Sequence, residues 1–137
     1  MRTVYADTGY WRAMLNPRDD LHEKAKAVTQ SLAPLHIVTS EMVLTEFLNG
    51  FSADGPDFRL AAVGAVKAVT DNPNVTVVPQ TRDLFRRSVE RYENRRDKEW
   101  SLTDCASFLI MEEQGIKDAL AHDHHFEQAE FRALLRD

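Results

Sequence analysis

Four acids stand out by where they fall in this chain of 137 residues: Asp7, Glu46, Asp104 and Asp123. Asp7 closes the apolar run Val4-Tyr5-Ala6 and Asp123 follows Ala119-Leu120-Ala121. Asp104 stands in the first turn of a helix opened by Ser101, and Glu46 in the second turn of one opened by Thr39-Ser40-Glu41. Carboxylates gathered in a partly buried pocket repel, and protons or positive charge must relieve them. A hard divalent cation, Mg²⁺ or Mn²⁺, suits an acids-only set, because it prefers carboxylate and water oxygens and keeps positions open for a phosphate. Such an ion activates water and neutralises developing charge in phosphodiester hydrolysis, so the expected chemistry is phosphoryl transfer to water. Taken singly, each acid has a plainer explanation: Asp7 and Asp123 as turn residues, Asp104 as a capping-box acid, Glu46 as a solvated helix residue. The case for chemistry is their joint placement.

The elements that must position these acids are readable from patterning. Val4-Tyr5-Ala6 reads as a short buried strand, and Asp7-Thr8-Gly9 as a turn or helix cap. From Asp20, the residues Leu21, Ala25, Val28 and Leu32 recur at helical spacing until Pro34 stops them. Leu35-His36-Ile37-Val38 predicts a second strand, with the Glu46 helix behind it. Gly50 to Pro56 is a loop, followed by a helix showing Ala62, Val66 and Val69, then a break at Asn72-Pro73-Asn74. Val75-Thr76-Val77-Val78 is a β-branched strand, and Thr81 opens a helix expected to turn Phe85, Val89 and Tyr92 to the core. Ser101-Leu102-Thr103-Asp104 is a capping box before an apolar central helix that Gly115 ends. A weak last strand at Ala119-Leu120-Ala121 precedes a loop from His122 to Phe126. Alternating strands and helices predict an α/β sandwich with a mainly parallel sheet. In such sheets ligands bind beyond the carboxyl ends of the strands, so Asp7, Asp104 and Asp123 should share one edge, with Glu46 reaching back to it.

Length and composition narrow the setting. One domain, residues 1–137, is the expected size for a single core. With 43% hydrophobic and 28% charged residues the chain reads as soluble and globular. No stretch approaches a signal peptide or a membrane span, so a cytoplasmic location is expected. The lone Cys105 lies in an apolar run and is expected to pack rather than react. A net charge of −5 argues against binding nucleic acid by bulk attraction. Arg87, Arg91 and Arg95 repeat every four residues and could contact phosphate, although the interleaved Asp83, Glu90 and Glu93 equally suggest a solvated, paired face.

The segments Val4-Tyr5-Ala6-Asp7-Thr8-Gly9, Thr39 to Glu46, Ser101-Leu102-Thr103-Asp104 and His122-Asp123-His124-His125-Phe126 resemble, in order and spacing, the successive motifs of PIN-domain ribonucleases. The resemblance implies a three-layer α/β/α fold and Mg²⁺ or Mn²⁺ held by Asp7, Asp104 and Asp123. It gives Glu46 a direct or water-mediated role on the metal and on the attacking water, with Thr8 and Ser101 in support. It also implies cleavage of RNA and, from small bacterial members, a VapC-type toxin paired with a short antitoxin; monomer and homodimer both stay open. Gly9 and His122 depart from the family pattern, where hydroxyl residues are common.

Other readings of the same residues are weaker. Asp7-Thr8-Gly9 is also the triplet of aspartic proteases, whose folds are β-rich. His122 to His125 could mark a histidine-based metal site of the HD type, whose pair lies within a helix. A phosphorelay receiver would carry paired acids after its first strand, which this chain lacks. A PIN-like module that binds RNA or protein without turnover is the non-enzymatic alternative.

Overall fold

The structure is a computed structural model that describes residues 1–136. Its elements run β1 (Arg2–Ala6), α1 (Thr8–Leu15), α2 (His22–Leu32), β2 (Leu35–Ser40), α3 (Glu41–Gly50), α4 (Pro56–Asp71), β3 (Val75–Val78), α5 (Arg82–Asn94), α6 (Leu102–Gln114), β4 (Asp118–Leu120), α7 (His124–Gln128) and β5 (Arg132–Ala133). Every strand pairing is parallel, in the order β3-β2-β1-β4-β5. The chain first winds from β1 out to β3, then returns to the other side of β1 for β4. The crevice between the ends of β1 and β4 is therefore the topological switch point, where open parallel sheets bind ligands.

Alternation along β1 builds the two sides of the sheet. Tyr5 points into a core with Val38, Leu84, Cys105, Phe108 and Met111, whereas Val4 and Ala6 point into one with Tyr10, Ala13, Ala25 and Leu120. Side chains two apart share a face of a strand, so one short run serves both layers and the sandwich has three, as expected. A smaller cluster of Phe47, Phe51 and Ala62 joins α3 to α4.

Four local expectations need correction or completion. Of the two readings of Asp7-Thr8-Gly9, the helix cap holds: Asp7 opens α1, whose buried Tyr10 and Ala13 hold it against the sheet. The segment after His122 is not simply a loop: Asp123 is the N-cap of α7, its side chain accepting the His125 N–H. A short edge strand, β5, also forms where none was expected. Finally, Phe85, Val89 and Tyr92 do not face the core but are 45%, 42% and 56% exposed. The buried line of α5 is Leu84 and Ser88, because Arg87 and Arg91 must lie toward the glutamates of α6.

Candidate active site

Asp7 is delivered by the end of the central strand, and its backbone N–H bonds to Leu120 O at 3.2 Å, joining it to β4. As the N-cap of α1 its side chain makes no capping bond, and Oδ1 is buried with no hydrogen-bond partner. Burial above all pushes the Asp7 carboxyl up to about 7; repulsion from Asp104, Glu46 and Asp123 adds to it, and the Thr8 N–H opposes it. Asp104, Glu46 and Asp123 are therefore each near enough to act on the Asp7 carboxyl.

Asp104 sits on the first turn of α6 in a complete capping box: Ser101 Oγ accepts the Asp104 N–H at 3.0 Å, and Asp104 Oδ2 accepts the Ser101 N–H at 3.1 Å. The same Oδ2 is 2.9 Å from His125 Nδ1. Burial raises the Asp104 carboxyl above its ordinary range, with the Ser101 and His125 contacts opposing and Asp123 adding repulsion. Glu46 reaches back from α3 at the exposed rim and accepts a hydrogen bond from the buried Thr8 hydroxyl at 2.5 Å. Asp123 is half-buried, its Oδ1 accepting the His125 N–H at 3.0 Å.

Beneath the acids runs a chain of hydroxyls. The Tyr5 hydroxyl lies 2.8 Å from Ser107 Oγ and donates to Ser40 Oγ at 3.2 Å, all three residues being buried. Tyr5 precedes Asp7 on β1, Ser40 caps the helix of Glu46, and Ser107 lies one turn beyond Asp104. One hydroxyl therefore ties together the three elements that carry these acids. Burial, with Asp7 and Asp104 nearby, raises the Tyr5 phenol, which stays a neutral donor.

An oxygen-rich set with a buried, unpartnered carboxylate oxygen has the donor chemistry of a hard divalent cation site. Among the described residues no lysine or arginine forms a salt bridge with any of the four acids. Residues 4–132 match the PIN domain family. The chain belongs to the PIN-domain family. The 23S rRNA-specific endonuclease VapC20, from two strains of Mycobacterium tuberculosis, is 30% identical over 128 residues, covering 93% of this chain and 95% of the relative. The crystal structure of M. tuberculosis VapC20, described as a sarcin-ricin loop cleaving toxin, superposes with a TM-score of 0.83 at 31% identity, covering 93% of this chain and 95% of that one.

The arginines singled out in the sequence of this PIN domain pair with acids other than these four. Arg87 bonds to Asp83 at 2.8 Å and to Glu113; Arg91 bonds to Glu112 at 2.8 and 3.1 Å. Arg95 is the C-cap of α5 rather than part of it, bonds to Asp97 at 3.0 Å and lies 4.8 Å over the Trp100 ring. The stripe is therefore an ion-paired face. Cys105 is fully buried, and burial with Asp104 nearby pushes its thiol up to about 11, which keeps it unreactive. His125 was weighed in the sequence as part of a histidine-based metal site, and its contact with Asp104 was not foreseen. Its spacing two beyond Asp123 was the available signal, since an N-cap acid bonds to the backbone N–H at that distance.

Proposed function

We propose that this PIN domain is a divalent-metal-dependent endoribonuclease that hydrolyses ribosomal RNA at the Asp7, Glu46, Asp104 and Asp123 cluster, and serves as the toxin of a toxin–antitoxin pair. The observation that carries the reading is Asp7: a carboxylate 8% exposed, with one oxygen unpartnered and three other acids acting on it. Such a group is costly to a fold unless a cation completes it. Similarity to VapC20 over nearly the whole of both chains supports the RNA class and the toxin role.

In this reading Asp7, Asp104 and Asp123 hold the ion, and Glu46 holds it directly or through water. Bound Mg²⁺ or Mn²⁺ would supply neutralisation of phosphate charge and a water of lowered pKa. The protein supplies placement. Thr8 fixes Glu46 at the solvent rim, where it can orient the attacking water, and Ser101 fixes the rotamer of Asp104 through the capping box. The apolar cavity of about 230 Å³ lined by Trp11, Met14, Leu44, Phe47 and Val66 is a surface that a short antitoxin could bury. No helix among the described residues is long and apolar enough to cross a membrane; a ribosomal substrate would be met in the cytoplasm, which is where this reading has the protein act.

Incubating the purified protein with ribosomal RNA and Mg²⁺ or Mn²⁺ tests this reading. Discrete cuts that EDTA stops and that Asp7→Asn lacks are expected. Binding without cutting would instead make the chain a non-catalytic RNA-binding module, and cutting unchanged in Asp7→Asn would overturn the site.

A further inference from the structure

Asp104 and Asp123 come from different elements, yet one imidazole touches both. His125 Nδ1 lies 2.9 Å from Asp104 Oδ2 and 3.3 Å from Asp123 Oδ1. Both neighbours are carboxylate oxygens, which accept, so Nδ1 is the protonated nitrogen that donates to them. The ring is well fixed. Its side chain is 15% exposed, its own N–H is bound to Asp123 Oδ1 at 3.0 Å, and His124 lies against it with ring centroids 4.6 Å apart. The next residue, Phe126, is fully buried edge-on to Phe108 of α6, which locks α7 to the helix carrying Asp104.

The consequence falls on Asp104. Its Oδ2 receives two donors, the Ser101 N–H and His125 Nδ1–H, so that Oδ1 is the oxygen left to turn toward the other acids. We propose that His125 is a positioning residue for the carboxylate centre: its Nδ1–H bridges Asp104 and Asp123 and sets both for a divalent cation without itself ligating it. This rests on the metal reading above. Hydrogen bonds that orient ligating carboxylates act on the affinity of the site, because ligands already in place need not be ordered when the ion arrives.

The test is Mn²⁺ binding without RNA, followed by the electron paramagnetic resonance of free Mn²⁺, for wild type, His125→Ala, His125→Gln and His125→Asn. The asparagine amide falls where Nδ1 stands, whereas the glutamine amide falls nearer Nε2. Loss of about tenfold or more in affinity is expected for His125→Ala and His125→Gln, with His125→Asn staying close to wild type. Should His125→Ala fail to fold by circular dichroism, the contrast of Asn with Gln carries the test. Wild-type affinity in His125→Ala or His125→Gln, equal loss in Asn and Gln, or ¹⁴N coupling of an imidazole to bound Mn²⁺ overturns the role of His125 alone. No Mn²⁺ binding by wild type overturns the metal reading and this proposal with it.

Discussion

Helix α6 separates two ways of handling charge. Along its side, Arg87 and Arg91 of α5 end on Glu113 and Glu112, near solvent and each with a carboxylate partner. At its N-terminal end, Asp104 and Asp123 have imidazoles as their ion-pair partners among the described residues, Asp7 has none, and burial drives Asp7 and Asp104 toward protonation. The first arrangement is ordinary surface pairing, in which exposed pairs contribute about 0–1 kcal/mol each. The second costs stability at Asp7, whose buried Oδ1 has no hydrogen-bond partner in the fold, a pattern expected of a binding site rather than of a structural ion pair. The two regions should therefore respond oppositely to substitution.

The largest contrast is in activity. Asp7→Asn and Asp104→Asn should each lower RNA cleavage by about a thousandfold or more, as removal of a group essential to a catalytic unit does, while Arg91→Ala leaves it near wild type. A gel assay with end-labelled RNA reads both, and equal loss in all three variants would erase the distinction between the regions.

Stability should show the next largest effect, with the opposite sign to a usual core polar substitution. The folded Asp7 carboxyl titrates at about 7, above its ordinary 3.8. Between these values the native state binds more protons than the unfolded chain, so stability without metal falls as pH rises through that window. Asp7→Asn should accordingly stabilise the metal-free protein at pH 8 by roughly 2–4 kcal/mol, and by much less at pH 4, in urea melts. A variant less stable than wild type at pH 8 would contradict this.

Smaller effects sharpen the comparison. Ser101→Ala removes the cap of α6 and should cost about 1 kcal/mol in urea melts, together with weaker metal binding, because the same capping box orients Asp104. Smallest of all, a double-mutant cycle of Arg91→Ala with Glu112→Ala should give a coupling of less than about 1 kcal/mol and leave metal binding alone. A larger coupling would mark the paired face as more than surface.

The positions of Asp7 and Asp104 were legible from the sequence because each stands at an element boundary that local chemistry announces: the end of a buried β-branched or aromatic run for Asp7, a capping box for Asp104. Parallel order then followed from alternation. The face of α5 was not legible. Phe85, Val89 and Tyr92 form a correct helical stripe, but so do Leu84, Ser88 and Arg91, and the choice between them is made by the glutamates of α6, far away in sequence. Hydrophobic periodicity finds a helix without saying which neighbour wins it. The contact of His125 with Asp104 escaped for a related reason: Asp104 is 21 residues earlier, and only the packing of Phe126 on Phe108 brings the two together. The body of α1 and the helix α7 were hidden by Gly9 and by the histidines, which are weak helix formers held in place by buried aromatics.

One measurement bears most directly on the carboxylate centre: anomalous diffraction from crystals of the wild-type protein soaked in Mn²⁺. A peak about 2.1 Å from Asp7 Oδ1, shared with Asp104 and Asp123, is the predicted result. Asp123, His124 and His125 also bring ligand atoms within 4.8 Å of one another. A peak on that trio with none at Asp7, or no peak at all, would contradict the account.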